Sequence, residues 1–148
     1  NSPARIILDK NLQIPITSNI VRTSYKYPTI IFFNKNNNKK LKLLKKLKIK
    51  LIYSPLNTND NFDLKNILLC IKKLGFPRVF LETGLNLNVN FLKKNLVDDF
   101  QLFISNKNIA TNGKNNFEKY MKLFLESKKS INQKVNLFGD KLITYRIK

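Results

Sequence analysis

Histidine and tryptophan are absent from this 148-residue chain, and cysteine occurs once, as Cys70. The lack of histidine excludes His-ligated zinc sites, Ser-His-Asp triads and Cys-His dyads. A single cysteine excludes an internal disulfide framework, and its place in the apolar run Ile67-Leu68-Leu69-Cys70-Ile71 marks a buried structural thiol rather than a redox centre. Glycine is scarce too: four residues are too few and too scattered for a three-glycine dinucleotide fingerprint, and no Walker-type Gly-Lys-Ser/Thr occurs. No apolar run approaches the roughly 18 residues of a membrane span, and Asn1-Ser2-Pro3-Ala4-Arg5 does not open a signal peptide. The expectation is a soluble, cytoplasmic protein with no membrane partner. Its chemistry is left to carboxylates, backbone amides, amines or a cofactor.

Acidic residues are the next shortage, nine against 28 basic ones, for a net charge of +19. Such an excess suggests nucleic acid or an anionic surface. All the basic residues except Arg5, Arg22, Arg78 and Arg146 are lysines, however, and they are spread along the chain. The accompanying surplus of Asn and Ile is what AT-rich coding produces. The densest runs, Lys39-Lys40 and Lys45-Lys46-Leu47-Lys48, suit a solvated helix face. No aromatic stacking platform accompanies them, so no specific nucleic-acid partner is expected.

What is present is a succession of short apolar segments. Arg5-Ile6-Ile7-Leu8 and Thr29-Ile30-Ile31-Phe32-Phe33 read as buried strands. Leu41, Leu44 and Leu47 recur at helical spacing, and Ile49, Leu51 and Tyr53 alternate as a strand. Asp63 is placed to cap a helix carrying Leu64, Ile67, Leu68, Ile71 and Leu74, which Gly75 and Pro77 stop. Val79-Phe80-Leu81 predicts a strand, Val89 to Leu96 a short helix, Phe100-Leu102-Ile104 a strand, and Phe117, Tyr120, Met121 and Phe124 a helix. Val135-Asn136-Leu137-Phe138, Gly139-Asp140 and Leu142-Ile143-Thr144-Tyr145 read as a terminal hairpin. The predicted fold class is α/β: a mixed, mainly parallel central sheet flanked by helices, closed by a C-terminal β-hairpin in a single domain over 1–148.

One segment, Phe80-Leu81-Glu82-Thr83-Gly84-Leu85-Asn86-Leu87, brings a charge, a glycine and a helix start to the end of an apolar strand. Ligands of open α/β sheets collect at carboxyl ends of strands, where free N–H groups of a following helix meet phosphate oxygens. Glu82, one of three glutamates, would need a partner there to offset desolvation, and a sugar hydroxyl would serve. An ordinary strand-to-helix junction, with Glu82 capping the turn and Gly84 relaxing the backbone, accounts for the same residues. Asp98-Asp99 could be mistaken for an acid pair, but neighbours in a strand point to opposite faces, so at least one of them is expected to be simply solvated.

These segments, in order, resemble a known family. Ser2-Pro3-Ala4-Arg5-Ile6-Ile7-Leu8-Asp9, Pro28-Thr29-Ile30-Ile31-Phe32, Phe62-Asp63-Leu64, Val79-Phe80-Leu81-Glu82-Thr83-Gly84 and Phe91-Leu92 through Leu96-Val97-Asp98-Asp99 are similar to the reductase domain of riboflavin-biosynthesis deaminase-reductases. Phe138-Gly139-Asp140 echoes that family's last hairpin. The resemblance implies a dihydrofolate-reductase-like fold that passes hydride from NADPH to a phosphoribosylamino-pyrimidine, with the cofactor carrying the redox chemistry. It implies that Glu82 contacts substrate and that Gly84, Leu85, Asn86, Leu87, Asn88 and Asn90 lie along the cofactor. It also places Lys10 where a small residue usually meets the cofactor. No metal and no particular catalytic residue follow from it, and a homodimer is expected.

Two departures stand out. The family's Glu-Gly-Gly-Pro reads Glu82-Thr83-Gly84-Leu85 here, and the strand and helices with which the family's domain begins have no counterpart. The deaminase half's His-x-Glu and Pro-Cys-x-x-Cys ligands are likewise absent. A reductase module and a non-catalytic module acting in ligand binding or assembly therefore both remain open at this point.

Overall fold

The computed structural model describes residues 3–35, 37–107, 119–133 and 138–148. They belong to two compact units, Asn1–Pro77 and Arg78–Lys148.

The first unit runs β1 (Arg5–Leu8), α1 (Asn19–Arg22), β2 (Thr29–Phe33), α2 (Asn38–Lys46), β3 (Lys50–Tyr53) and α3 (Leu64–Lys73). Its sheet has the order β1-β2-β3 with both pairings parallel, Arg5 facing Thr29 and Ile30 facing Lys50. Parallel neighbours require crossovers, which α1 and α2 provide. The uninterrupted apolar run of β2 follows from its position, because all five of its residues are buried between two layers. Ile31 and Phe33 meet Leu12, Val21, Leu44 and Ile49 on one face, while Ile30 and Phe32 meet Ile67 and Ile71 of α3 on the other.

Local chemistry fixes the boundaries. The Asp63 carboxylate accepts from the Lys65 and Asn66 N–H groups at the start of α3, and Gly75 ends the helix at φ +91°. Cys70, expected to be buried, is half-buried on α3, where it packs against the cluster of Ile30, Phe32, Ile67 and Ile71. Helix α1 was not legible beforehand, since four residues are too short to display a period. It is pinned by Arg5, whose guanidinium donates to Thr23 Oγ1, Thr29 Oγ1 and the carbonyls of Ile20 and Tyr27.

The second unit comprises α4 (Leu85–Lys93), β4 (Asp99–Ile104), α5 (Lys119–Glu126), β5 (Ser130–Gln133) and β6 (Lys141–Arg146). The strands pair antiparallel in the order β4-β6-β5. Phe100 and Tyr145 face each other across β4 and β6 and pack with Val89 and Leu92 of α4, Met121 and Leu125 of α5, and Ile147. Phe103 and Ile131, of opposite parity, stay exposed. On that second face the middle strand β6 still buries Leu142, so the exposed apolar residues there belong to β4 and the edge strand β5.

The mixed α/β class expected from the sequence is observed, with parallel strands, helices and an antiparallel terminal pair. Two elements differ in their bounds. Helix α4 starts at Leu85, not Val89, because Leu85 joins Val89 and Leu92 on the packed face. The first strand of the terminal pair is Ser130–Gln133, upstream of the expected Val135–Phe138, since Ser130 takes its register opposite Tyr145. Val135, Asn136 and Leu137 lie outside the described residues, as does Phe117. Phe138 and Gly139 sit in a turn at φ 51° and 98°, and a Cβ on Gly139 would collide with the Asn106 amide. Among the described residues no helix is long and apolar enough to cross a membrane.

Candidate functional site

The segment Phe80 to Asn90 lies in the second unit and differs in one respect from its expected form. Val79-Phe80-Leu81 is not a strand: residues 76–84 carry no regular structure. A strand exists only as a member of a ladder, and no described segment supplies a partner for 79–81. Phe80 is accordingly 77% exposed. Glu82 is exposed as well, so the desolvated carboxylate at a strand end is not found.

The turn that follows is ordered from within. The Thr83 hydroxyl donates to Asn88 Oδ1 at 2.9 Å, and Asn88 Nδ2 returns a bond to the Thr83 carbonyl at 3.0 Å. This closed pair ties the residue before Gly84 to the first turn of α4. Asn88 is therefore a turn-holding residue, and Thr83, which stands where the family has a glycine, is its partner. The signal available in the sequence was a hydroxyl and a carboxamide five residues apart across a helix start.

Gly84 is the N-cap of α4, with φ −67° and ψ 164° and no side-chain cap. Its carbonyl accepts from the Leu87 and Asn88 N–H groups, each at 3.2 Å. The N–H groups at the very start of a helix have no intrahelical acceptor, which leaves those of Leu85 and Asn86 available. Nothing lies within 4 Å of a Cβ built on Gly84. Neither an unusual φ nor internal crowding therefore calls for glycine here. What its missing side chain provides is room for an outside group to approach the backbone. Leu85 is half-buried in the core of the unit and Leu87 is half-buried, whereas Asn86 and Asn90 are exposed on α4.

Lys10 belongs to the first unit. Its ammonium donates to Asp60 Oδ2 at 2.7 Å and to the Asp60 carbonyl at 2.9 Å. Its own carbonyl accepts from the Asn34 and Lys35 N–H groups. Asp98 and Asp99 are both exposed, Asp99 pairing with Arg146 at 2.6 Å and Asp98 lying 3.7 Å from Lys148. They are surface ion-pair members. No cluster of metal-ligating side chains is found among the described residues.

Comparisons with known proteins address this arrangement as a whole. The family model described as the RibD C-terminal domain matches residues 1–135. The riboflavin biosynthesis protein RibD of Aquifex aeolicus is 32% identical over 143 residues, covering 97% of this chain and 38% of that protein. The protein of the same name from Actinobacillus pleuropneumoniae is 25% identical over 105 residues, 71% of this chain and 28% of its own length. The chain thus spans less than two-fifths of these relatives. Among solved structures, Acinetobacter baumannii RibD superposes with a TM-score of 0.70 at 18% identity, over 97% of this chain and 37% of that one. A pyrimidine reductase-like protein from Corynebacterium diphtheriae gives a TM-score of 0.68 at 18% identity, over 97% of this chain and 60% of that one. The fold is shared with both. By its sequence from residue 1 to 135, the chain belongs to the RibD C-terminal domain family.

Proposed function

We propose that the chain is a cytoplasmic reductase module of riboflavin biosynthesis, reducing 5-amino-6-(5-phosphoribosylamino)uracil at ribose C1′ to the ribitylamino product with NADPH. The observation that carries this reading is the turn at Gly84: a helix start with free amides, no capping side chain and open space where a Cβ would stand. Those features fit a phosphate-bearing dinucleotide. The nicotinamide supplies the hydride when bound. The residues of this chain bind and orient. The Leu85 and Asn86 N–H groups, at the positive end of the α4 dipole, offer donors to phosphate oxygens. The exposed Glu82 carboxylate is available to accept from a sugar hydroxyl of the substrate. Thr83 and Asn88 hold the turn between them, so that the amides are oriented before a ligand arrives.

NADPH titration by fluorescence tests the reading, with the pyrimidine substrate present and absent. Gly84→Val should weaken cofactor binding by about tenfold or more, because a branched side chain fills the approach. Glu82→Ala should spare cofactor binding and abolish substrate-dependent oxidation. A folded chain that binds no NADPH would defeat the proposal.

A second reading is favoured by the unladdered Val79-Phe80-Leu81: the chain acts as a binding or assembly module that a further strand completes, supplied by a second copy. Concentration-dependent dimerisation without cofactor binding would select it. A homodimer that binds NADPH is compatible with the first.

A further inference from the structure

The first unit separates its charges by the ends of its sheet. A crossover between parallel neighbours runs from the carboxyl end of one strand to the amino end of the next, so α1 and α2 both finish at the amino end. All three acids of the unit lie on segments that leave the carboxyl end: Asp9 follows β1, Asp60 is on the loop after β3, and Asp63 opens α3. Each is engaged, by the Gln13 and Ile14 N–H groups, by Lys10 and by the first turn of α3. From Lys10 to Asn59, by contrast, the chain carries eleven basic residues and no acid. Six of them gather at the amino end: Arg22, Lys45 and Lys46 in the last turns of α1 and α2, Lys26 and Lys48 just beyond, and Lys50 at the first position of β3. All six are exposed, and none enters the ion pairs found among the described residues.

Helix dipoles account for the cations in the last turns. They do not account for Lys26, Lys48 and Lys50, which lie outside the helices, nor for Tyr25, an aromatic ring 77% exposed on the turn between α1 and β2. That turn is fixed in place. The Lys26 and Tyr27 N–H groups both donate to the Thr23 carbonyl, and the Ser24 hydroxyl donates to the Leu47 carbonyl at 2.7 Å across 23 residues of sequence. The Ser24 bond sets Tyr25 and Lys26 beside Lys46 and Lys48, the neighbours of Leu47. The fold thus supplies the aromatic that the lysine runs lack in the sequence. An exposed ring among unpaired cations suits a phosphodiester chain whose bases are free to stack. A lipid surface is a poorer match, because Leu43 and Leu47 of α2 are only 39% and 38% exposed and no apolar helix face projects past the lysines into a bilayer.

We propose that the amino-end face of the first sheet binds single-stranded nucleic acid without sequence preference, with the lysines on phosphates and Tyr25 stacked on one base. The surface is independent of the reductase reading and of the turn at Gly84.

Fluorescence anisotropy of the whole chain tests it with a labelled oligothymidylate of about ten nucleotides, an oligocytidylate, an abasic strand of equal charge and a duplex. Co-sedimentation with phosphatidylserine vesicles tests the lipid alternative. The two oligonucleotides should bind alike, and log K should fall against log salt by about 0.7 for each phosphate contacted. Lys46→Gln with Lys48→Gln should lower that slope by about 1.4, whereas Lys93→Gln with Lys94→Gln, an equal loss of charge in the second unit, should leave it unchanged. Tyr25→Ala should weaken oligothymidylate binding about five- to a hundredfold at the same slope, Tyr25→Phe should retain it, and neither should alter binding of the abasic strand. Equal losses from the two lysine pairs, or a Tyr25→Ala variant that binds oligothymidylate as the unaltered chain does, overturn the site and reduce it to diffuse charge attraction. Tighter binding of the duplex or of the vesicles than of the single strand overturns the choice of partner.

Discussion

Every residue of β2 is buried, and every residue of β5 is exposed. The two strands show how differently the two units obtain their order. In the first unit a parallel sheet lies between two apolar layers, so its middle strand is apolar from Ile30 to Phe33, and the buried Thr29 hydroxyl is hydrogen-bonded to Arg5 and the Tyr27 carbonyl. In the second an antiparallel sheet rests on α4 and α5 by one face, and its edge strand Ser130-Ile131-Asn132-Gln133 contributes little to any core. Side-chain removal should therefore be felt most where two layers meet.

Phe32→Ala should bring the largest loss, about 3 to 5 kcal/mol, because the ring is fully enclosed and the cavity has rigid walls. Leu125→Ala, in the layer of α4 and α5 on one face of the second sheet, should fall nearer the lower end of about 2 to 5 kcal/mol. Urea unfolding of both variants reads the contrast, and a greater loss at Leu125 would break it. Asp63→Ala removes an acceptor for two N–H groups and should cost about 1 kcal/mol, seen in the same titration. Smallest of all, Phe80→Ser should change stability by no more than about 0.5 kcal/mol, since the ring stands in solvent. A loss above 1 kcal/mol there would show that Phe80 is covered in solution.

The same contrast marks what could be read from the sequence. Thr29 to Phe33 and Leu64 to Leu74 were legible because burial on two faces and on one helix stripe leave distinct periods. Val79-Phe80-Leu81 has the composition of a strand, but a ladder partner is not encoded in composition, and the segment has none among the described residues. The place of the candidate turn was legible from Glu82 and Gly84. Its internal order was not, because the bonds between Thr83 and Asn88 depend on how the chain enters α4. Lys10 shows the limit most clearly: its partner Asp60 lies far along the chain, on the loop after β3, and no local pattern joins them.

The strand orders also bear on how the chain assembles as it is synthesised. Arg5 finds Thr29 and Ile30 finds Lys50 in succession, so each strand of the first sheet meets its neighbour as soon as the next one appears. Asp99 must wait for Arg146, across about twice as much chain, which adds about 0.6 kcal/mol of loop-closure entropy. On nascent chains stalled at increasing length, protease protection should reach β1, β2 and β3 well before β4, whose partner β6 is made later still.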